Sequence, residues 1–297
     1  MIECTIGIMA FNEEKNIGKL LNALLRQKLK EVEIKKIVVV ASGCTDQTAE
    51  IAKQYTERYP QIELVTQAKR EGKSSAINLF LKTVKTPVVV LESADTLPLF
   101  YTIENLVTPF SDPAVGMCGG HPLPQNNPDS FLGFTNHLLW TLHHLLSLER
   151  PKMGELVAFR TIIPSIPVES AVDETSIESF FFQRKMQILY LPKAMVLNKG
   201  AETVSDFLKQ RRRIYAGHLY IKHHHHYQVT TLHATKIMGL ILKNVRLSFK
   251  TVFWLFSAIL LEAAGRYLGV FDYYVKKKNH SIWAMADSTK NLTDVKN

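Results

Sequence analysis

The chain has 297 residues, 46% of them hydrophobic and 21% charged, a balance that excludes disorder and suffices for one large domain or two modest ones. Its 36 Lys and Arg against 27 Asp and Glu leave a formal net charge of +9, which favours anionic partners: nucleic acid, anionic lipid or phosphorylated substrates. Three cysteines, Cys4, Cys44 and Cys118, are odd in number and lack metal-ligand spacing, so they argue for a reducing compartment over a disulfide framework or a zinc site.

Met1 leads straight into "IECTIGIMA", with neither the basic start nor the long apolar run of a secretory signal. "CTIGIMA" reads as a strand, and in the following "NEEKNIGKLLNALLRQ" the residues Ile17, Leu20, Leu21, Leu24 and Leu25 recur at helical spacing. "KIVVVAS" is a second strand and "TDQTAEIAKQYTERY" a second helix, with Thr and acids at its start. "IELVTQ", the helical "KSSAINLFLKTV" and the strand "TPVVVLES" complete the first half. Strands apolar on both faces, alternating with helices, predict an α/β fold with a mostly parallel central sheet flanked by helices.

Ligands of such folds sit beyond the carboxyl ends of the strands, where this chain has "AFNEE", "ASGCTD", "REGKSS" and "ESADT". Any one of these loops can be a simple helix start. Together they carry Glu13, Asp46, Lys73 and Asp95 to one sheet edge, which argues for an anion and metal pocket.

The order "AFNEE", "ASGCTD", "GKSSAIN", "ESADT", "VDETSIE" and "QRRRI" resembles the family 2 glycosyltransferases, inverting enzymes of the GT-A fold that use nucleotide-diphosphate sugars. The resemblance runs over roughly residues 5–217 and includes "LVAFR" and "ILYLPKAMVLNKG", which are similar to the family's acceptor-side strands. It implies that Ala10, Asn12 and Glu13 belong to the donor nucleotide site, with Glu13 in contact with the nucleoside. Ser42 and Asp46 stand in a segment where the family usually has Asp-Asp-Gly-Ser-Thr-Asp and this chain has Ala41, Ser42, Gly43, Cys44, Thr45 and Asp46. Gly72, Lys73 and Asn78 are retained, with Lys73 as a compact charge for the diphosphate.

The family's Asp-Ala-Asp becomes Ser93, Ala94 and Asp95, so the resemblance leaves Asp95 to reach the nucleotide and to hold Mg or Mn together with the substrate diphosphate. Glu92 falls on the opposite face of an extended segment and is no substitute ligand. In "SAVDETSIE" the resemblance implies a catalytic base that takes the acceptor proton. Register favours Glu174 and side-chain identity favours Asp173, with Glu174 slightly ahead. Gln210 and Arg213 match the family's QxxRW segment, with Ile214 in place of Trp, and share one helix face to hold the diphosphate or order the acceptor. Arg211 and Arg212 read as basic surface.

The last third differs in character. Its apolar run from Lys236 to Lys278 has no uncharged stretch longer than the eleven residues Thr251 to Leu261, against the ~20 needed to cross a bilayer. Lys236, Lys243 and Lys250, with Arg246 nearby, border an amphipathic element that suits either an anionic membrane surface or the flank of the catalytic domain. The resemblance tips this toward membrane contact, because acceptors of such enzymes are often lipid-linked. The run His223 to His226 reads as a solvated helix end, and "HLLWTLHHLLSL" as a helix packed by its leucines.

These readings divide the chain into a GT-A domain, residues 1–222, and a helical C-terminal region, residues 223–297. The expected activity is transfer of a sugar from a nucleotide-diphosphate donor to a hydroxyl acceptor, in the cytoplasm or at the cytoplasmic face of a membrane. The alternative is a noncatalytic binding protein for nucleotide sugars or lipid head groups. Nucleic acid is not an expected partner, because the basic residues are dispersed and lack interleaved aromatics.

Overall fold

A computed structural model describes residues 1–227, 234–244, 248–278, 280–282 and 287–293. The first half is β1 (Ile2–Ala10), α1 (Ile17–Leu25), β2 (Val32–Ser42), α2 (Thr48–Arg58), β3 (Ile62–Gln67), α3 (Lys73–Leu81) and β4 (Val88–Ser93). Then follow β5 (Thr96–Pro98), α4 (Thr102–Val107), β6 (Val115–Pro124), α5 (Phe131–Glu149), β7 (Leu156–Arg160), α6 (Asp173–Gln183) and β8 (Gln187–Asn198). Three helices close the chain: α7 (Val204–His225), α8 (Ala234–Asn244) and α9 (Phe249–Tyr274).

The strands form one eight-stranded sheet in the order β3-β2-β1-β4-β7-β6-β8-β5. Its first four strands are parallel, as their unbroken apolar runs predict. The other half is mixed: β7 runs antiparallel to both β4 and β6, β6 runs parallel to β8, and β5 runs antiparallel to β8. Side-chain alternation splits the core into two layers. Cys4, Ile6 and Ile8 of β1 meet Ile17, Leu20, Leu21 and Leu24 of α1 on one face. Val38, Val40, Val89 and Leu91 meet Ala76, Ile77 and Phe80 of α3 on the other. Gly7 allows that second contact, since a Cβ there would lie 2.5 Å from the Phe80 ring.

The expected division at 222/223 falls inside α7. That helix is the bed on which α9 lies, and two glycines set how closely they approach. A Cβ on Gly265 would meet Arg211 Cβ at 2.6 Å, and one on Gly269 would meet the Arg212 carbonyl oxygen at 2.9 Å. Arg211 and Arg212 are therefore not the basic surface expected of them. Arg211 pairs with Glu262, and Arg212 pairs through two nitrogens with Asp272, which is fully buried. Both carboxylates face α7, so the arginines that look surplus in sequence are the fasteners between the two helices.

The opposite side of α9 is apolar and open, with Phe249, Val252, Phe253, Phe256, Leu260 and Tyr267 all at least half exposed. At 26 residues, with an 18-residue window of mean hydropathy 1.3, α9 is long and apolar enough to cross a membrane by length and composition, which its short uncharged stretch does not foretell. Lys243 is exposed near the end of α8, and Lys250 lies over the Trp254 ring; Arg246 and the Lys236 side chain lie outside the described residues. His223 to His226 do form a solvated helix end, with His226 closing α7 in the left-handed region at φ 51°.

Candidate active site

A cavity of about 300 Å³ opens at the carboxyl ends of β1, β2 and β4. It sits at the lower end of the range for small-molecule sites. Ala10, Glu13, Ser42, Gly72, Lys73, Ala94, Asp95, Gln210 and Arg213 line it, so nine expected site residues from five separate stretches of chain converge there. Gly72 has φ 96°, a backbone that favours glycine, and turns the chain into α3 so that Lys73 opens the helix at the cavity wall.

Asp173 and Glu174 open α6 and reach the site through Lys73. Its Nζ lies 2.9 Å from Asp173 Oδ2 and 3.0 Å from Glu174 Oε1. Burial opposes the lysine charge, but the two carboxylates outweigh it and hold the ammonium above the ordinary lysine range. Burial and the neighbouring Asp173 push the Glu174 carboxyl up, against the counter-pull of Lys73. Arg213 has its charge disfavoured by burial, while Glu174, Asp173, Glu155 and Asp95 all favour it.

Three expected donor contacts are occupied elsewhere. Asn12 brackets Thr45 with its amide, donating to the hydroxyl at 3.0 Å and accepting from the backbone N–H at 2.8 Å. Asp46 accepts from the backbone N–H groups of Thr48 and Glu14, joining the start of α2 to the loop after β1. Asn78 exchanges two 2.8 Å hydrogen bonds with the backbone of Ile166 and ties α3 to the chain before α6. All three shape the loops around the cavity without lining it.

The cavity also contains residues that the motif reading passed over. Glu155, one residue before β7, lines it beside Asp95, and the Ser93 hydroxyl lies 3.4 Å from Glu155 Oε2. Burial, then Asp95 and Glu174, push the Glu155 carboxyl up to about 7. The signal for it was the acid in "MGELVAFR", visible only to a reader who knows that β7 adds antiparallel to β4. Glu92, on the other face of β4, is buried, accepts from Thr96 and is pushed up to about 8 by burial, with Glu155 and Asp95 adding to the shift. Arg70 also lines the cavity and lies 3.8 Å over the Phe11 ring. Lys290 bonds Glu13, and no local pattern announces it.

Among the described residues no group of three or more His, Cys, Asp or Glu side chains is arranged to hold a metal. Asp95 and Glu155 nonetheless fit a hard divalent cation. Both offer carboxylate oxygens to one cavity, and positive charge there relieves the repulsion that raises Glu155.

The sheet, with its parallel half and the cavity at the carboxyl ends of those strands, has the architecture of the GT-A fold. The chain belongs to glycosyl transferase family 2, whose family model matches residues 5–165. A glycosyltransferase of Haloferax volcanii, AglE, is 28% identical over 117 residues, covering 39% of this chain and 38% of that protein. Human dolichyl-phosphate beta-glucosyltransferase is 25% identical over 117 residues, covering 37% and 36%. The match thus spans well under half the length of these relatives. Among solved structures, the mannosyltransferase PcManGT of Pyrobaculum calidifontis, in complex with GDP-Man and Mn2+, superposes with a TM-score of 0.62 at 16% identity, over 93% of this chain and 88% of that one. At that identity the likeness concerns the fold.

Proposed function

We propose that the enzyme transfers one sugar, with inversion, from a nucleotide-diphosphate donor to a hydroxyl of an acceptor presented at an anionic membrane surface. The observation that carries this reading is the lysine shared by Asp173 and Glu174 at the wall of a cavity that also holds Asp95, Glu155 and Arg213. The nucleoside end lies by Ala10, Phe11, Glu13, Ser42 and Arg70. Arg213 and the start of α3 receive the diphosphate, since a helix N-terminus offers free backbone N–H groups to phosphate oxygens.

Glu174 is the base. Its raised affinity for protons suits it to take the acceptor O–H proton as that oxygen attacks the anomeric carbon from the side opposite the diphosphate. The bond to the departing phosphate oxygen breaks in the same step, and Gln210 and Arg213 face the leaving group. Lys73 aligns Asp173 and Glu174. Asp95 with Glu155 would hold Mg or Mn, which supplies positive charge against the leaving diphosphate.

PcManGT and the dolichyl-phosphate glucosyltransferase support the donor class and a lipid-borne acceptor by similarity only. The membrane part of the reading rests on α9. Its two acidic residues are tied to α7, which favours a helix lying along the surface with its aromatic side in the lipid over one that crosses it. The cytoplasmic face is the expected location.

Calorimetric titration with nucleoside diphosphates in Mn, in Mg and in chelator tests the donor site. Metal-dependent binding of one nucleotide, abolished in Asp95→Ala and weakened in Glu155→Gln, is the expected outcome. Metal-independent binding that survives Asp95→Ala would remove the cation from the scheme.

A further inference from the structure

The nucleoside end of the cavity is built partly by residues that fall outside every family motif in this chain. Between residues 280 and 293 the described backbone returns across the parallel edge of the sheet, and His280, Ser281, Ile282, Thr289 and Lys290 line the cavity. At one end His280 Nε2 is 2.9 Å from Asp272 Oδ2, the carboxylate that also clamps Arg212. Ser281 lies against the turn before α3, where a Cβ on Gly72 would meet its carbonyl oxygen at 2.6 Å. At the other end Leu292 is 1% exposed, seated in the β1–α1 core layer. Its N–H donates to Asn16 Oδ1 at 3.1 Å, and its carbonyl accepts from Lys19 Nζ at 2.6 Å. Thr293 exchanges two hydrogen bonds with the Gln125 side chain.

Lys290 stands between these anchors. Its ammonium donates to the Phe11 carbonyl at 3.0 Å, to the Asn12 carbonyl at 2.8 Å and to Glu13 Oε1. An ammonium has three protons, and the loop after β1 takes all of them. That loop needs holding. Asn12 sits at φ 52°, in the left-handed region that a side chain adopts only at a cost, and the flanking residues are Phe11, stacked under Arg70, and Glu13, facing the cavity.

We infer that Lys290 is a positioning residue of the donor site: the strap of residues 287–293 fixes the loop after β1 in the conformation that receives the nucleoside. This rests on the donor reading above and adds a structural condition to it. Lys290 donates its hydrogen bonds to the loop after β1, whereas Asp95, Glu155 and Arg213 at the diphosphate end stand on other stretches of the chain. The two ends of the donor should therefore respond differently to its loss.

The test compares two probes, a nucleoside diphosphate and inorganic pyrophosphate, each with Mn, on the wild type, Lys290→Met and Lys290→Gln. Lys290→Met should weaken the nucleoside diphosphate by about tenfold or more, the effect of losing charge-assisted hydrogen bonds. Pyrophosphate affinity should stay within about twofold of wild type in the same variant. Lys290→Gln, which keeps a donor for the carbonyls without the charge, should recover part of the loss. Should Lys290→Met fail to fold, Lys290→Gln against the two probes still decides.

An equal loss for both probes would mean a merely structural residue, and unchanged nucleotide binding would overturn the inference outright. Tighter nucleotide binding in the variants would make the strap an obstruction, again contrary to what is inferred. If the wild type binds pyrophosphate but no nucleoside diphosphate, the donor reading itself fails, and this inference with it.

Discussion

The two acids at the start of α6 share one lysine but differ in burial. Asp173 is 4% exposed, whereas burial and the Asp173 charge raise the proton affinity of Glu174. As the base, Glu174 must be ionised, so kcat/KM falls as pH drops through its raised value and the acid limb lies above the ordinary 4.5. Glu174→Gln should lower kcat by about 10²–10⁴ and abolish that limb, while Asp173→Asn, which removes a charge raising Glu174, should shift the limb downward. A pH–rate profile of the three proteins separates the roles that sequence alone left open between neighbours. Order and spacing revealed nine of the lining residues, because backbone loops at strand ends carry their side chains to one place. Glu155 stayed hidden for the opposite reason: it joins Asp95 only through an antiparallel pairing that no local pattern encodes.

Helix α9 shows what hydrophobic patterning can and cannot reveal. Its apolar side was legible, but the other side was not, because Glu262 and Asp272 count in sequence as interruptions of an apolar run. In the fold they are the partners of Arg211 and Arg212 and fasten α9 to α7. Replacing Asp272 with Asn strands the Arg212 charge and should cost about 3 kcal/mol of unfolding free energy, read by chemical denaturation at pH 7. Burial works against the Asp272 charge, yet Arg212 and His280 prevail and hold its folded value below the ordinary 3.8. Its contribution is therefore complete above 3.8 and disappears as pH falls through the lower folded value. The gap between wild type and variant should close in that acid range and nowhere above it.

At the scale of the molecule, the membrane proposal draws on the exposed aromatics of α9 and the net charge of +9. Phe253→Glu combined with Phe256→Glu should weaken sedimentation with anionic vesicles by about tenfold and leave nucleotide affinity unchanged, since neither residue lines the cavity. Raising salt should weaken the wild type in the same assay, since salt screens the attraction of surface lysines to anionic lipid. Parallel-sheet topology was readable from apolar runs; the mixed half was not, because its pairings depend on where long connections return. One such long return joins Lys290 to Glu13 across a separation of 277 residues. During synthesis this means that the loop after β1 waits for its counter-charge until 277 further residues have been added. A ribosome-bound chain stopped short of Lys290 lacks that counter-charge, and under the donor reading proposed above its nucleotide affinity should rise further once residue 293 has cleared the exit tunnel.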